Sequence, residues 1–368
     1  MSSRPSINLV FQTDDGHAWM TGIALRSLID AFSRSPARHA YSLQVSFISH
    51  GLNEANRRLL DRAGASDAVE LLTEVIDYPL KAATPDERRI ELFTMRLRFP
   101  QVLPHLDRIL FLDSDILVLD DISKLWEIDL GDHWLGAAAC LNTSDDVSLR
   151  NYNHEFKIQF KHVKEPINGG VVMMDLRRMR QLDASAAMVG WLQAHRDAIY
   201  NPDQEAISIY CGGRFAVLPP EWNFRLFAEP YWTASWRSYR DYVTLKPAIV
   251  HFQSPLRPNL LRGRLPYFTE WLQCHDEVVQ RRLTDAKRMD YFMFAYFEFF
   301  DVISLLGGVM ASYRWRTFLT GVFLCPYAIP KYVRYLLSPE QYRFRIYRLL
   351  PDAAPAVLRK SGELASSP

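Results

Sequence analysis

Arg108-Ile109-Leu110-Phe111-Leu112-Asp113-Ser114-Asp115 runs an apolar, strand-like segment straight into two carboxylates separated by one residue. Side chains alternate faces along a strand, so Asp113 and Asp115 are expected to point the same way at its C-terminal end. Two like charges held together repel unless something positive sits with them. A divalent cation bridging to a phosphorylated ligand meets that need, because hard cations favour carboxylate and phosphate oxygens. A turn or a helix cap is the plainer explanation of the same pair. Against it, Ile116-Leu117-Val118-Leu119 continues apolar, and Asp120-Asp121-Ile122-Ser123 makes the better turn, with Asp121 or Ser123 starting a short helix through Trp126.

Outward from this stretch, strands and helices alternate. Ile7 to Phe11 reads as a buried first strand ending at Gln12-Thr13-Asp14-Asp15-Gly16, and Met20, Ile23, Ala24, Leu28 and Phe32 then keep helical spacing. Tyr41 to Ser49 alternates as a second strand, Asn53 caps a helix to Gly64, and Leu71 to Ile76 forms a third strand. Thr84-Pro85-Asp86-Glu87 combines an N-cap, a first-turn proline and an acid at the third position. Its helix is expected to bury Ile90, Phe93 and Leu97 and to stop before Pro100. Leu135 to Cys140 and Val171 to Leu176 supply further strands. The pattern predicts an α/β domain with a mostly parallel sheet covered on both faces. Ligands of such sheets bind beyond the carboxyl ends of the strands, where Asp14, Asp15, Asp113 and Asp115 fall. No Gly-x-Gly-x-x-Gly follows the first strand, which argues against a dinucleotide oxidoreductase.

The bulk composition narrows the class. A chain of 368 residues, 48% hydrophobic and 23% charged, is an ordinary folded protein and not a disordered one. Its net charge of +1 gives no case for nucleic acid as a partner. Cys140, Cys211, Cys274 and Cys325 make no Cys-x-x-Cys pair and no zinc spacing, so they read as free thiols of a reducing compartment. No h-region follows Met1 and no run of apolar residues reaches spanning length, so the cytoplasm is the expected location.

Other clusters carry both a chemical and a plainer meaning. Asn168-Gly169-Gly170 could bring a ligand close to the backbone, with Asn168 on a sugar hydroxyl, or make a tight turn. In Asn201-Pro202-Asp203-Gln204, capping rules alone account for the residue types. His251 ends a strand; such a histidine is usually a satisfied polar group, and it becomes a third metal ligand only if the strand ends beside Asp113 and Asp115. Arg257 has the planar fork that grips diphosphate, whereas Arg96 is by default a solvated charge.

Phe-x-x-Asp-Asp at the first strand, Leu-Asp-x-Asp, Asn-x-Gly-Val, Asp-Gln and a late His, taken in this order, resemble glycosyltransferase family 8. The stretch Leu125 to Ala137 is similar to the bacterial lipooligosaccharide and lipopolysaccharide galactosyl- and glucosyltransferases. The resemblance covers roughly residues 7 to 275. It implies a GT-A (Rossmann-like) fold, a UDP-sugar donor such as UDP-galactose or UDP-glucose, Mn2+ or Mg2+, and retention of anomeric configuration. It also implies Asp113, Asp115 and His251 as metal ligands, and Asp14 with Gln12 and Thr13 against the uridine. Arg96, Asn168 and Gly169 would contact the diphosphate-sugar, Asp203 the sugar hydroxyls, and Gln204 the face of the anomeric carbon opposite the leaving group. Ser254 and Arg257 fall in the late phosphate-binding loop, Ser254 where the family usually carries Gly and Arg257 keeping a positive charge; Gly16 replaces an Asn of some relatives. An amide is a poor nucleophile, which points to front-face attack with Gln204 steadying the oxocarbenium rather than to a covalent intermediate.

The expected organisation is a catalytic domain over 1–279 and a helical extension over 280–368, rich in aromatics and arginine. Tyr291 to Phe297 and Phe299-Phe300, with Arg314, Arg316, Arg343, Arg345 and Arg348, suit either a cap or dimer interface, or a tail lying on the anionic inner face of the plasma membrane beside a lipid-linked saccharide acceptor. Two other functions stay open at this level: a glycogenin-like self- or protein-glucosylating enzyme, and a non-catalytic nucleotide-sugar-binding or membrane-scaffolding protein.

Overall fold

The computed structural model describes residues 4–82, 84–139, 167–194, 202–211, 215–225, 246–252 and 267–280. The aromatic and arginine-rich extension beyond 280, the Asn201 cap, and Ser254 and Arg257 lie outside the described residues. No helix among the described residues is long and apolar enough to cross a membrane.

Ten strands are described: β1 (Ser6–Thr13), β2 (Ser42–Ser49), β3 (Leu71–Asp77), β4 (Arg108–Leu112), β5 (Ile116–Val118), β6 (Leu135–Ala139), β7 (Ile167–Asp175), β8 (Ala216–Val217), β9 (Phe224–Arg225) and β10 (Ile249–His251). Seven form the main sheet in the order β3-β2-β1-β4-β7-β6-β8, and β5, β10 and β9 form a small second sheet. β1, β2, β3 and β4 are mutually parallel, with Leu9 beside Val45 and Leu110. β7 runs against both β4 and β6, so the sheet is mostly and not wholly parallel. A mostly parallel sheet with helices on both faces is the α/β architecture the sequence predicts.

Period-2 alternation builds a core on each face of the sheet. Leu9 and Phe11 of β1, Leu110 and Leu112 of β4, and Val171 and Met173 of β7 pack with the helix Ala18–Ser33 and the helix Phe268–Val279. Val10, Ile109, Phe111, Val172 and Met174 face the other way, onto Leu97, Phe99 and the helices Leu176–Gln181 and Ala184–Ala194.

Capping chemistry sets several element boundaries. Asn53 accepts from the Asn56 N–H, and Thr84 and Glu87 form the reciprocal capping box expected of them. Asp121 is the cap of the helix Ile122–Trp126. The helix from Pro85 departs from expectation: it ends at Thr94, continues as a 3-10 turn over Met95–Arg98, and restarts over Phe99–Val102 with Pro100 in its first turn. That proline lacks an N–H where none is needed, so it opens a new turn instead of ending the old one. The tighter turn between the two helical pieces carries Arg96 into the protein, where the residue is 7% exposed.

Candidate active site

The two aspartates lie just past the end of β4, in the turn that hands the chain to β5 in the second sheet. They are therefore not strand residues, yet the alternation of β4 still holds at its first step. Asp113 falls on the side of Phe111, two residues earlier, and there it meets Arg96, whose guanidinium lies 4.3 Å from the centre of the Phe111 ring. The turn is pinned from both sides. Asp113 N–H donates to Gly170 O (2.8 Å) and Asp115 O accepts from Phe252 N–H (2.8 Å). Between them, Ser114 Oγ sits 2.8 Å from Thr21 Oγ1 and donates to Gln12 O.

β10 pairs antiparallel with β5, placing His251 opposite Ile116. His251 Nε2 thereby comes to 3.2 Å from Asp115 Oδ1 and 3.8 Å from Asp113 Oδ2. One donor atom from each of the three residues lies within 4.8 Å of the others. Two carboxylates and an imidazole meeting at one point form a donor set that fits Mn2+ or Mg2+. Removal from water pushes Asp113 above the ordinary carboxylate range; Asp115 and Asp203 add to the rise, while Arg96 and His251 oppose it.

β7 brings the next layer. Because it is antiparallel to β4, its first residues lie at the edge where β4 ends, so Asn168, Gly169 and Gly170 arrive beside Asp113. The two glycines stand inside a strand and do not form a turn. Their reason is steric. A Cβ on Gly170 would run into the His251 ring, and one on Gly169 would sit 2.5 Å from Arg96 Nη1 and 3.2 Å from Gln204 Cγ. Arg96 Nη1 itself donates to Gly169 O at 2.5 Å. The Asn168 side chain is buried, and its Oδ1 accepts from Gly170 N–H (3.0 Å) and from Asn223 Nδ2 (2.7 Å).

The helix Pro202–Cys211 presents Asp203 and Gln204 from its first turn. Asp203 is 1% exposed and pairs with Arg96, Nε to Oδ2 2.9 Å. Neither of its carboxylate oxygens has a well-aligned hydrogen-bond donor among the described residues. Burial raises its pKa, opposed first by Arg96 and then by the backbone N–H groups at the helix start. Paired with Arg96, the carboxylate keeps acceptor capacity that a hydroxyl-bearing ligand could use. Gln204, half-buried, lies against Gly169.

At the end of β1, Gln12 Nε2 donates to Leu92 O while its buried Oε1 has no partner among the described residues. Thr13 Oγ1 accepts from Thr21. Asp14 Oδ1 accepts from the backbone N–H of His17 and sits 2.7 Å from His17 Nδ1, and Arg88 Nη2 lies 3.7 Å from the other oxygen, Oδ2. The His17 hydrogen bond is the main reason its pKa falls to about 2.

Asn223, Thr21, Ser114 and His17 were not singled out in the sequence. Asn223 sits in Pro219-Pro220-Glu221-Trp222-Asn223, which reads as a turn and carries no spacing relation to the other site residues.

A family model described as Glycosyl transferase family 8 matches residues 8–258. General stress protein A of Bacillus subtilis (strain 168) is 22% identical over 275 residues, covering 72% of this chain and 91% of that protein. Probable galacturonosyltransferase 13 of Arabidopsis thaliana is 25% identical over 206 residues; the aligned part is 50% of this chain and only 37% of the relative. Among solved structures, the galactosyltransferase LgtC in complex with donor and acceptor sugar analogues superposes with a TM-score of 0.55 at 23% identity, over 77% of this chain and 98% of that one.

Proposed function

Given that the chain belongs to glycosyl transferase family 8, we propose that it transfers a hexose, galactose or glucose, from a UDP-sugar to a saccharide acceptor with retention of anomeric configuration. The acceptor proposed is a bacterial lipopolysaccharide or other surface glycan. One observation carries the reading: Asp113, Asp115 and His251 converge in a site where the buried Asp203 carboxylate, paired with Arg96, has no well-aligned hydrogen-bond donor among the described residues.

In this reading each residue has a task. Asp14, Gln12 and Thr13 hold the uridine at the end of β1. Asp203 accepts from sugar hydroxyls, and Arg96 pairs with it and with Asp113, opposing the loss of charge that desolvation favours. Asp113, Asp115 and His251 would hold a divalent cation, which would supply positive charge against the departing diphosphate. Gln204, through its side-chain carbonyl, steadies positive charge on the ring while the acceptor hydroxyl enters from the leaving-group side and gives its proton to the departing phosphate oxygen. Ser254, Arg257, Asn168 and Gly169 complete the proposed diphosphate-sugar contacts.

The test is slow donor hydrolysis, read as UDP released from a panel of UDP-sugars with Mn2+. One hexose donor should be hydrolysed, and EDTA or Asp115→Asn should abolish it without unfolding the protein. Unchanged turnover in EDTA overturns the metal assignment. An α-linked product from an α-linked donor is expected, and a β anomeric proton signal overturns retention.

For the region 280–368, its aromatics and arginines support a role at anionic membrane, holding a peripheral enzyme at the cytoplasmic face near a lipid-linked acceptor. Co-sedimentation with anionic liposomes at low salt is expected, and lost on truncation near 280. A full-length chain left in the supernatant overturns it.

A further inference from the structure

The chain Gly170–Asn168–Asn223–His251 has a direction that one backbone group dictates. Gly170 N–H can only donate, so the Asn168 atom it meets at 3.0 Å must be the carbonyl oxygen. That same oxygen lies 2.7 Å from Asn223, which must then present its NH2 group. The Asn223 oxygen therefore faces His251 Nδ1, at 2.9 Å, and that nitrogen must carry a proton. Amide and imidazole orientations are ordinarily ambiguous, but here the peptide N–H removes the ambiguity.

All members of the chain are buried: Asn168 is 2% exposed, His251 3% and Asn223 4%. With Nδ1 committed to Asn223, the opposite nitrogen, Nε2, is the one aimed at Asp113 and Asp115. Ligating histidines are commonly oriented by a carboxylate or a backbone carbonyl on the far nitrogen. In this protein a side-chain amide fills that place.

We propose that Asn223, held by Asn168, is a positioning residue that fixes the His251 ring with its proton on Nδ1, so that Nε2 offers its lone pair to a divalent cation between Asp113 and Asp115. The inference rests on the metal-site reading above and deepens it. It also assigns Asn168 a task inside the protein, in the support of His251.

The experiment measures Mn2+ binding by calorimetry to the full chain, without donor or turnover. Asn223→Ala should weaken binding about tenfold or more. Long-range 1H–15N spectra of the wild-type chain saturated with diamagnetic Mg2+ give an answer independent of any variant: the His251 proton should sit on Nδ1, and finding it on Nε2 overturns the proposal. Asp115→Asn separates the two levels. A wild-type chain that binds Mn2+ no better than Asp115→Asn overturns the metal site itself. Binding that needs Asp115 but is indifferent to Asn223→Ala overturns only the positioning role.

Discussion

Arg96 Nε lies 2.9 Å from Asp203 Oδ2, joining a side chain 8% exposed to one 1% exposed, while the same guanidinium reaches Asp113 Oδ1 at 3.3 Å. One cation thus serves two carboxylates that come from distant parts of the chain. Removing it strands the buried Asp203 carboxylate and leaves the part-exposed Asp113 without its cationic partner. Arg96→Met should cost about 3 kcal/mol or more of stability in urea unfolding. The double variant Arg96→Met, Asp203→Leu should be more stable than Arg96→Met alone, because it deletes one stranded charge; a double variant no more stable would count against the pairing.

Gly170 and Gly190 make a controlled comparison. A methyl on Gly170 meets the His251 ring, whereas one on Gly190, in a helix, meets nothing within 4 Å. Gly170→Ala should weaken Mn2+ binding about tenfold through displacement of the imidazole. Gly190→Ala should leave binding alone and raise stability by about 0.5–1 kcal/mol. Equal Mn2+ affinities for the two variants would show that the ring has room to move.

Gln204 separates a structural from a chemical role. As a first-turn helix residue it should matter by about 1 kcal/mol or less when truncated. Gln204→Ala is instead expected to lower kcat by about tenfold or more, a barrier increase of about 1.4 kcal/mol, with melting temperature nearly unchanged. An earlier melt with normal turnover would assign it to helix capping alone.

Asp14 offers a pH prediction whose sign is fixed by its depressed pKa. Its pKa of about 2 lies below the unfolded value near 3.8, so its contribution is present above pH 3.8 and is lost as pH falls through about 2. The gap in unfolding free energy between wild type and His17→Ala should be at most about 2 kcal/mol at pH 5 and should shrink on acidification. A gap that widened toward pH 2 would mean that His17 acts through packing instead.

Much of the fold was legible along the chain. The apolar runs of β1, β4 and β7, the capping box at Thr84 and Glu87, and the cap at Asp121 all depend on neighbours a few residues away. Period-2 alternation is equally local, and it set Asp113 and Asp115 toward one side at the end of β4. The pairing of Asp113 with Asp115 and the late His251 were visible as residue types and order. What sequence could not supply was the direction in which β7 runs. A strand reads alike either way, and its direction is decided by pairing with β4, whose Phe111 meets Val172. That direction alone puts Asn168 at the aspartates' edge instead of the opposite one. The same holds for Arg96, which any local rule leaves in solvent; it is buried because Asp113, Asp203 and Gly169 O meet around it. Asn223 had no signal at all, because its partners Asn168 and His251 stand 55 and 28 residues away. Local chemistry determined the elements and the reactive residue types. Tertiary pairing decided which of them share one point in space, because burial and opposing charge act only between groups the sheet has already brought together.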